Sequence, residues 1–103
     1  MTQVLRTESA DADLIEIADY IHRRSGSAEV AFRFLDKIEV KCRLYAGNSE
    51  LGDLRLDLGA NVRSFPLDNF VVIYEPQPDG ILVLMVTRGA RNYAPLLRRR
   101  MRM

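Results

Sequence analysis

Residues 62–87 read VRSFPLDNFVVIYEPQPDGILVLMVT, and the punctuation in this stretch decides the fold. Phe70 to Tyr74 and Ile81 to Thr87 are β-branched and aromatic runs of strand length. Pro76-Gln77-Pro78-Asp79-Gly80 joins them as a hairpin loop, with Asp79-Gly80 as its strongest element. Val62 to Phe65 is a shorter strand broken by Pro66, and Pro66-Leu67-Asp68-Asn69 has the composition of a tight turn. The stretch therefore predicts a three-stranded antiparallel meander. Its two long strands are apolar almost throughout, so they should be central, with at least one face deeply covered.

The cover comes from upstream, where the period changes. Leu14, Ile17, Ala18 and Ile21 recur at helical spacing, which predicts a helix over about residues 10–24. Ser9 or Asp11 caps it, and Ser25-Gly26 stops it. Ser27 can cap a second helix with the stripe Ala31, Phe34, Leu35, Ile38, Cys42 and Tyr45, ending near Gly47. So short a connection makes the two an antiparallel αα-hairpin. Met1 to Arg6 is long enough for one strand, and residues 48–61 form the longest irregular stretch. The expected architecture is α+β in two layers, β-α-α-β-β-β, a helical hairpin packed on a small antiparallel sheet. It is one domain over residues 1–97, followed by a basic segment at 98–103.

That segment matters because the formal net charge of +1 conceals it. Thirteen of the fifteen basic residues are Arg, and Arg98, Arg99, Arg100 and Arg102 fall among the last six positions. Without them the body carries eleven basic residues against fourteen acidic ones. Such asymmetry suits an arm for an acidic partner, and a solvated chain end explains it equally well.

Composition narrows the chemistry. Cys42 is the only cysteine and His22 the only histidine, which excludes a disulfide framework and a multi-cysteine zinc site. His22 suits the C-terminal dipole of the first helix, and Cys42 falls on an apolar stripe as a structural thiol. Neither GxGxxG nor GxxxxGK occurs, so no metal, nucleotide or other cofactor is expected. No apolar run is long enough for a membrane span and no signal peptide opens the chain, so a cytoplasmic location without a membrane partner is expected. What remains is a set of arginines on the sheet half, Arg55, Arg63, Arg88 and Arg91, with Tyr93 nearby. Guanidinium groups capture carboxylate or phosphate bidentately, and Arg88-Gly89-Ala90-Arg91 places two of them just past the last strand. Arg55 and Arg63 can equally pair with Asp53 or Asp57.

Several segments resemble the ParE-type toxins of bacterial toxin–antitoxin systems. Residues 12–21 (ADLIEIADYI) look like their first helix, and residues 31–38 (AFRFLDKI) like their second. Residues 55–59 (RLDLG), 62–66 (VRSFP), 69–74 (NFVVIY) and 79–81 (DGI) follow their path into the meander. Residues 87–92 (TRGARN) resemble their closing HGARD motif, with Thr87-Arg88 in place of an aliphatic residue and His, and Asn92 in place of Asp. The resemblance covers about residues 4–97.

It implies the RelE/ParE fold, a ParD-like antitoxin partner, and DNA gyrase as the target, poisoned rather than chemically altered. Nucleic acid would then be met only indirectly, through target or antitoxin. Arg63, Arg88, Arg91, Arg98 and Arg99 are the expected target contacts, with the arginines at the sheet's end and in the tail meeting gyrase or the DNA it holds. The apolar residues Leu14, Ile17, Ile21, Phe34, Ile38, Phe70 and Ile73 are the expected seat of an antitoxin helix. The sister RelE branch cuts messenger RNA on the ribosome; here Arg63, Arg88 and Arg91 would be its cations and Tyr93 its proton source. The sheet half offers no Lys or His as a base, and arginine stays protonated, which favours binding over catalysis. A non-toxic relative that only pairs with an antitoxin is the third reading.

Overall fold

The computed structural model describes residues 2–102. Strand β1 (Gln3–Arg6) leads into helices α1 (Glu8–Ser25) and α2 (Ala28–Gly47). Strands β2 (Asp53–Leu54), β3 (Arg63–Leu67), β4 (Phe70–Gln77) and β5 (Gly80–Arg88) follow, and helix α3 (Ala94–Met101) comes last. The strands form one sheet in the order β1-β5-β4-β3-β2.

The expected α+β arrangement, a helical hairpin on a sheet, is the one observed. The sheet is mixed, however, not wholly antiparallel: β1 runs parallel to β5, Val4 opposite Ile81. Nothing short joins these two strands; the chain between them crosses through the helical layer, and such a crossover permits parallel pairing. The meander pairs as expected, with Phe65 opposite Val72 and Val72 opposite Val86. Pro66 lies within β3 and does not end it. β2 reaches only Arg63 and Ser64, so no neighbour on that side asks Pro66 for an N–H. Asp68 turns the chain into β4 with φ 53°, a conformation Asp tolerates better than most residues.

Helix α1 starts two residues earlier than the sequence suggests, because Thr7 and not Ser9 or Asp11 is its cap. The Thr7 hydroxyl accepts the Ala10 N–H at 3.0 Å, while its own N–H is tied to Val83 O. Gly26 ends the helix at φ 69°, donating to His22 O. Ser27 caps α2 as expected.

The main core lies between the hairpin and the sheet, where Leu14, Phe34, Ile38 and Cys42 meet Phe65, Val72, Tyr74, Ile81, Val83 and Val86. Each such side chain contributes roughly 1.5–3 kcal/mol relative to an exposed one. Of the expected antitoxin seat, Ile73 is buried on the sheet's other face, and Leu14, Phe34 and Ile38 are at most 9% exposed because they pack on the sheet. Ile17, Ile21 and Phe70 are half-buried against the same core.

The opposite face of the sheet is covered too. Leu58, Val62 and Leu97 pack on Val71, Ile73, Leu84 and Met85. The irregular stretch and α3 supply this second cover. Residues 98–101 of the basic segment complete a helix anchored by Leu97, which is fully buried.

Candidate functional site

Pairing between β1 and β5 ends at Val83, so the last residues of β5 have one edge free of strand. A bulge sits there. Tyr74 pairs with Val83 and Ile73 with Met85, which leaves Leu84 without a partner. An extra residue shifts the alternation of faces by one. Past it, Val86 points into the core beneath the helices, and Arg88, two residues on, falls on that side as well. Without the bulge Thr87 would take the helical side and Arg88 would face away.

The free edge is satisfied by side chains. Asp13 Oδ2 accepts the Val86 N–H at 3.0 Å, and Arg100 Nη1 donates to Leu84 O at 3.1 Å. The two side chains also hold each other through a bidentate pair, at 2.8 and 2.7 Å. The hydrogen bond to Asp13 raises the basicity of the Arg100 guanidinium, against the opposing effect of burial. α3, α1 and the bulge are locked together at this point.

Between α1 and the end of β5 runs an open furrow of about 190 Å³, lined by Asp13, Glu16, Ile17, Tyr20, Arg23, Phe70, Val86, Thr87, Arg88 and Arg91. Arg88 lies over the Tyr20 ring with Cζ 4.5 Å from its centroid, and Arg24 approaches the same ring at 5.8 Å. Among the described residues neither Arg88, Arg91 nor Arg24 is in an ion pair, and Arg23 reaches Asp19 at 3.4 Å. Arg98 and Arg99 are exposed on α3, whose Arg100 borders the furrow through Asp13.

The other candidates are elsewhere. Arg63 donates to Glu50 O at 3.0 Å and Gly52 O at 2.8 Å, bracing the irregular stretch instead of pairing with Asp53 or Asp57. It stands level with Tyr74 and Val83, and Arg88 lies five residues further along β5, roughly 17 Å at the rise of a strand. Arg55 does make the structural ion pair, holding Asp57 bidentately at 3.0 and 2.8 Å. It also donates to the Tyr93 hydroxyl at 2.7 Å, fixing the start of α3. Hydrogen bonds to Asp57 and Tyr93 raise the basicity of Arg55, which makes it a poorer proton donor still. Arg88 and Arg91 come together; Arg63 and Tyr93 do not join them.

A second, larger concavity of about 1050 Å³ opens between α1, α2 and β1. Val4, Leu14, Ile15, Leu35 and Ile38 line it, with Arg6, Asp11, Glu39 and Arg43 also along its walls. Ile15 is 72% exposed there, a large apolar side chain left in water. Burial pushes the Cys42 thiol, also in this lining, up to about 11, so it stays protonated.

The family model described as "ParE toxin of type II toxin-antitoxin system, parDE" matches residues 4–93. The chain belongs to the ParE toxin family. Among solved structures, one titled "Chromosomal ParDE TA system from P. aeruginosa" matches with a TM-score of 0.71 at 23% identity. The match covers 85% of this chain and 96% of that one, and at such identity it speaks for the fold alone. A comparison with curated proteins found no match.

Within this ParE-family chain, sequence reasoning missed Tyr20, Asp13 and Arg100 as parts of the site. A signal was present, because Asp13, Glu16, Ile17 and Tyr20 recur at helical spacing beside the apolar stripe. Their partners on β5 and α3 lie more than sixty residues away, and no local pattern announces such a pairing. No helix of the described residues is long and apolar enough to cross a membrane. Among them, no cluster of His, Cys, Asp and Glu could hold a metal ion.

Proposed function

We propose that this ParE-family chain is a toxin that poisons DNA gyrase in the cytoplasm and is held inactive by a ParD-like antitoxin. One observation carries the reading: two surfaces of opposite character on one small domain. The groove between α1, α2 and β1 is apolar at its floor and edged by charges of both signs, which suits an amphipathic helix. The furrow at the end of β5 presents Arg88 and Arg91, which have no acid partner among the described residues, and this suits an anionic target surface. An antitoxin seated in the first leaves the second to the target, or blocks it by reach.

Action by binding, not catalysis, is supported by what surrounds the arginines. Cutting RNA through its 2′-hydroxyl needs a base, an acid and phosphate cations within reach of one bond. Arg63 is engaged with backbone carbonyls far from Arg88, and the Tyr93 hydroxyl is engaged with Arg55. His22 stands exposed near the end of α1, and the furrow's lining includes neither it nor any Lys.

Expressed without a partner, the chain is expected to arrest growth and induce the response to broken DNA. Co-expression of the neighbouring antitoxin gene should relieve both. Growth arrest accompanied by cuts in translated messages and intact chromosomes would favour the ribonuclease reading. Normal growth would favour a non-toxic relative.

A further inference from the structure

We propose that the furrow between α1 and the end of β5 binds the phosphodiester backbone of duplex DNA directly, with Arg88 as its principal contact and Arg24 and Arg91 beside it. This deepens the gyrase reading and rests on it for its biological setting. It commits the furrow to DNA itself, bound without gyrase, where the sequence left gyrase or the DNA it holds as alternatives.

Four observations point to a phosphate backbone. The first is pre-organisation: Arg88 lies over Tyr20 with Cζ 4.5 Å from the ring centroid, so a cation–π contact positions it before any ligand arrives. A guanidinium held in this way loses little conformational freedom when it takes up an anion. The second is charge. Arg24, Arg88 and Arg91 are exposed and unpaired among the described residues. Asp13, the acid at the furrow's edge, is neutralised by Arg100 and the Val86 N–H, which leaves Glu16 as the opposing charge in the lining.

The third is the residue type. The chain's two lysines, Lys37 and Lys41, both lie on α2, and every cation of the furrow is an arginine, the side chain that grips phosphate bidentately. The fourth separates duplex from single strand. Proteins that hold single strands stack bases on aromatic rings. Of the furrow's two rings, Phe70 is half-buried against Phe34, and guanidinium groups already stand over Tyr20, Arg88 at 4.5 Å and Arg24 at 5.8 Å. Backbone contacts without base stacking suit a duplex, held without regard to sequence.

The bulge at Leu84 turns Arg88 toward Tyr20, and the Asp13–Arg100 pair holds the bulge. Asp13 and Arg100 are therefore positioning residues for the same surface.

The test is fluorescence anisotropy of a short labelled duplex titrated with the full chain, without gyrase, over a series of salt concentrations. Binding is expected to weaken linearly on a log–log plot against salt. Arg88→Ala should weaken it about tenfold and lower that slope by about one. Tyr20→Ala, which leaves every charge in place but frees Arg88, should weaken it about threefold. Lys41→Ala removes one charge from α2 and should change nothing.

No binding at low salt overturns the proposal. So does equal weakening by Lys41→Ala and Arg88→Ala, or tighter binding of the corresponding single strand. Circular dichroism of each variant guards against misfolding. Stabilised gyrase cleavage without furrow-dependent duplex binding overturns this proposal and leaves the gyrase reading standing. Duplex binding without stabilised cleavage does the reverse.

Discussion

Asp13 satisfies three donors with two oxygens: one Val86 N–H and two from the Arg100 guanidinium. Its side chain is 14% exposed, and removing the partner leaves a nearly buried carboxylate stripped of its countercharge. Arg100→Ala should therefore cost about 2–3 kcal/mol, read as a fall in the midpoint of urea unfolding with little change in slope. Cys42 makes a prediction about pH. Burial holds its thiol near 11, against 9.0 for a free one, so the folded state keeps a proton that the unfolded chain loses first. Stability from this site is intact below pH 9 and is lost as pH rises from about 9 to 11, a loss of roughly 2–3 kcal/mol in all. Cys42→Ser or Cys42→Ala should flatten that alkaline limb, as thermal melts across the range would show. At this scale the sequence was partly legible. The burial of Cys42 followed from its place on an apolar stripe, while the Arg55–Asp57 pair was one of several readings that adjacency left open. That Arg63 would cap carbonyls, and that Asp13 would meet Arg100, depended on the tertiary path of the chain.

Elements were more legible than residues, and the misses share a cause. Helices α1 and α2 and the meander follow from local periodicity and turn chemistry, and these were readable. The parallel β1–β5 pairing, the bulge at Leu84 and helix α3 depend on contacts distant in sequence. α3 in particular is eight residues rich in Arg, and its place comes from Leu97 and Tyr93 docking on the second face of the sheet. Gly80 tests the pairing of β1 directly. It sits at φ 155°, and a Cβ there would come 1.9 Å from Gln3 O, in the backbone of β1. Gly80→Ala should destabilise the fold by about 2–3 kcal/mol and displace β1. Hydrogen exchange should then show lost protection at Gln3 to Arg6 while the β3–β4 amides stay protected.

At the scale of the whole molecule, the two surfaces should be separable by mutation. Ile15 lies in the apolar groove and holds nothing in the core, since it is 72% exposed. Ile15→Glu should leave thermal stability unchanged while weakening antitoxin affinity at least about tenfold, because a charge would be carried into an apolar interface. Isothermal titration with the cognate antitoxin reads that loss, and growth arrest by the variant should persist. The action proposed for this ParE-family domain is to hold gyrase on broken DNA. The most direct measurement incubates the purified chain with purified gyrase and closed circular DNA, then denatures the enzyme and counts linearised molecules. Linear DNA should accumulate with toxin concentration, and Arg88→Ala should reduce the yield severalfold. Circles that stay closed at a large excess of folded toxin would contradict the account.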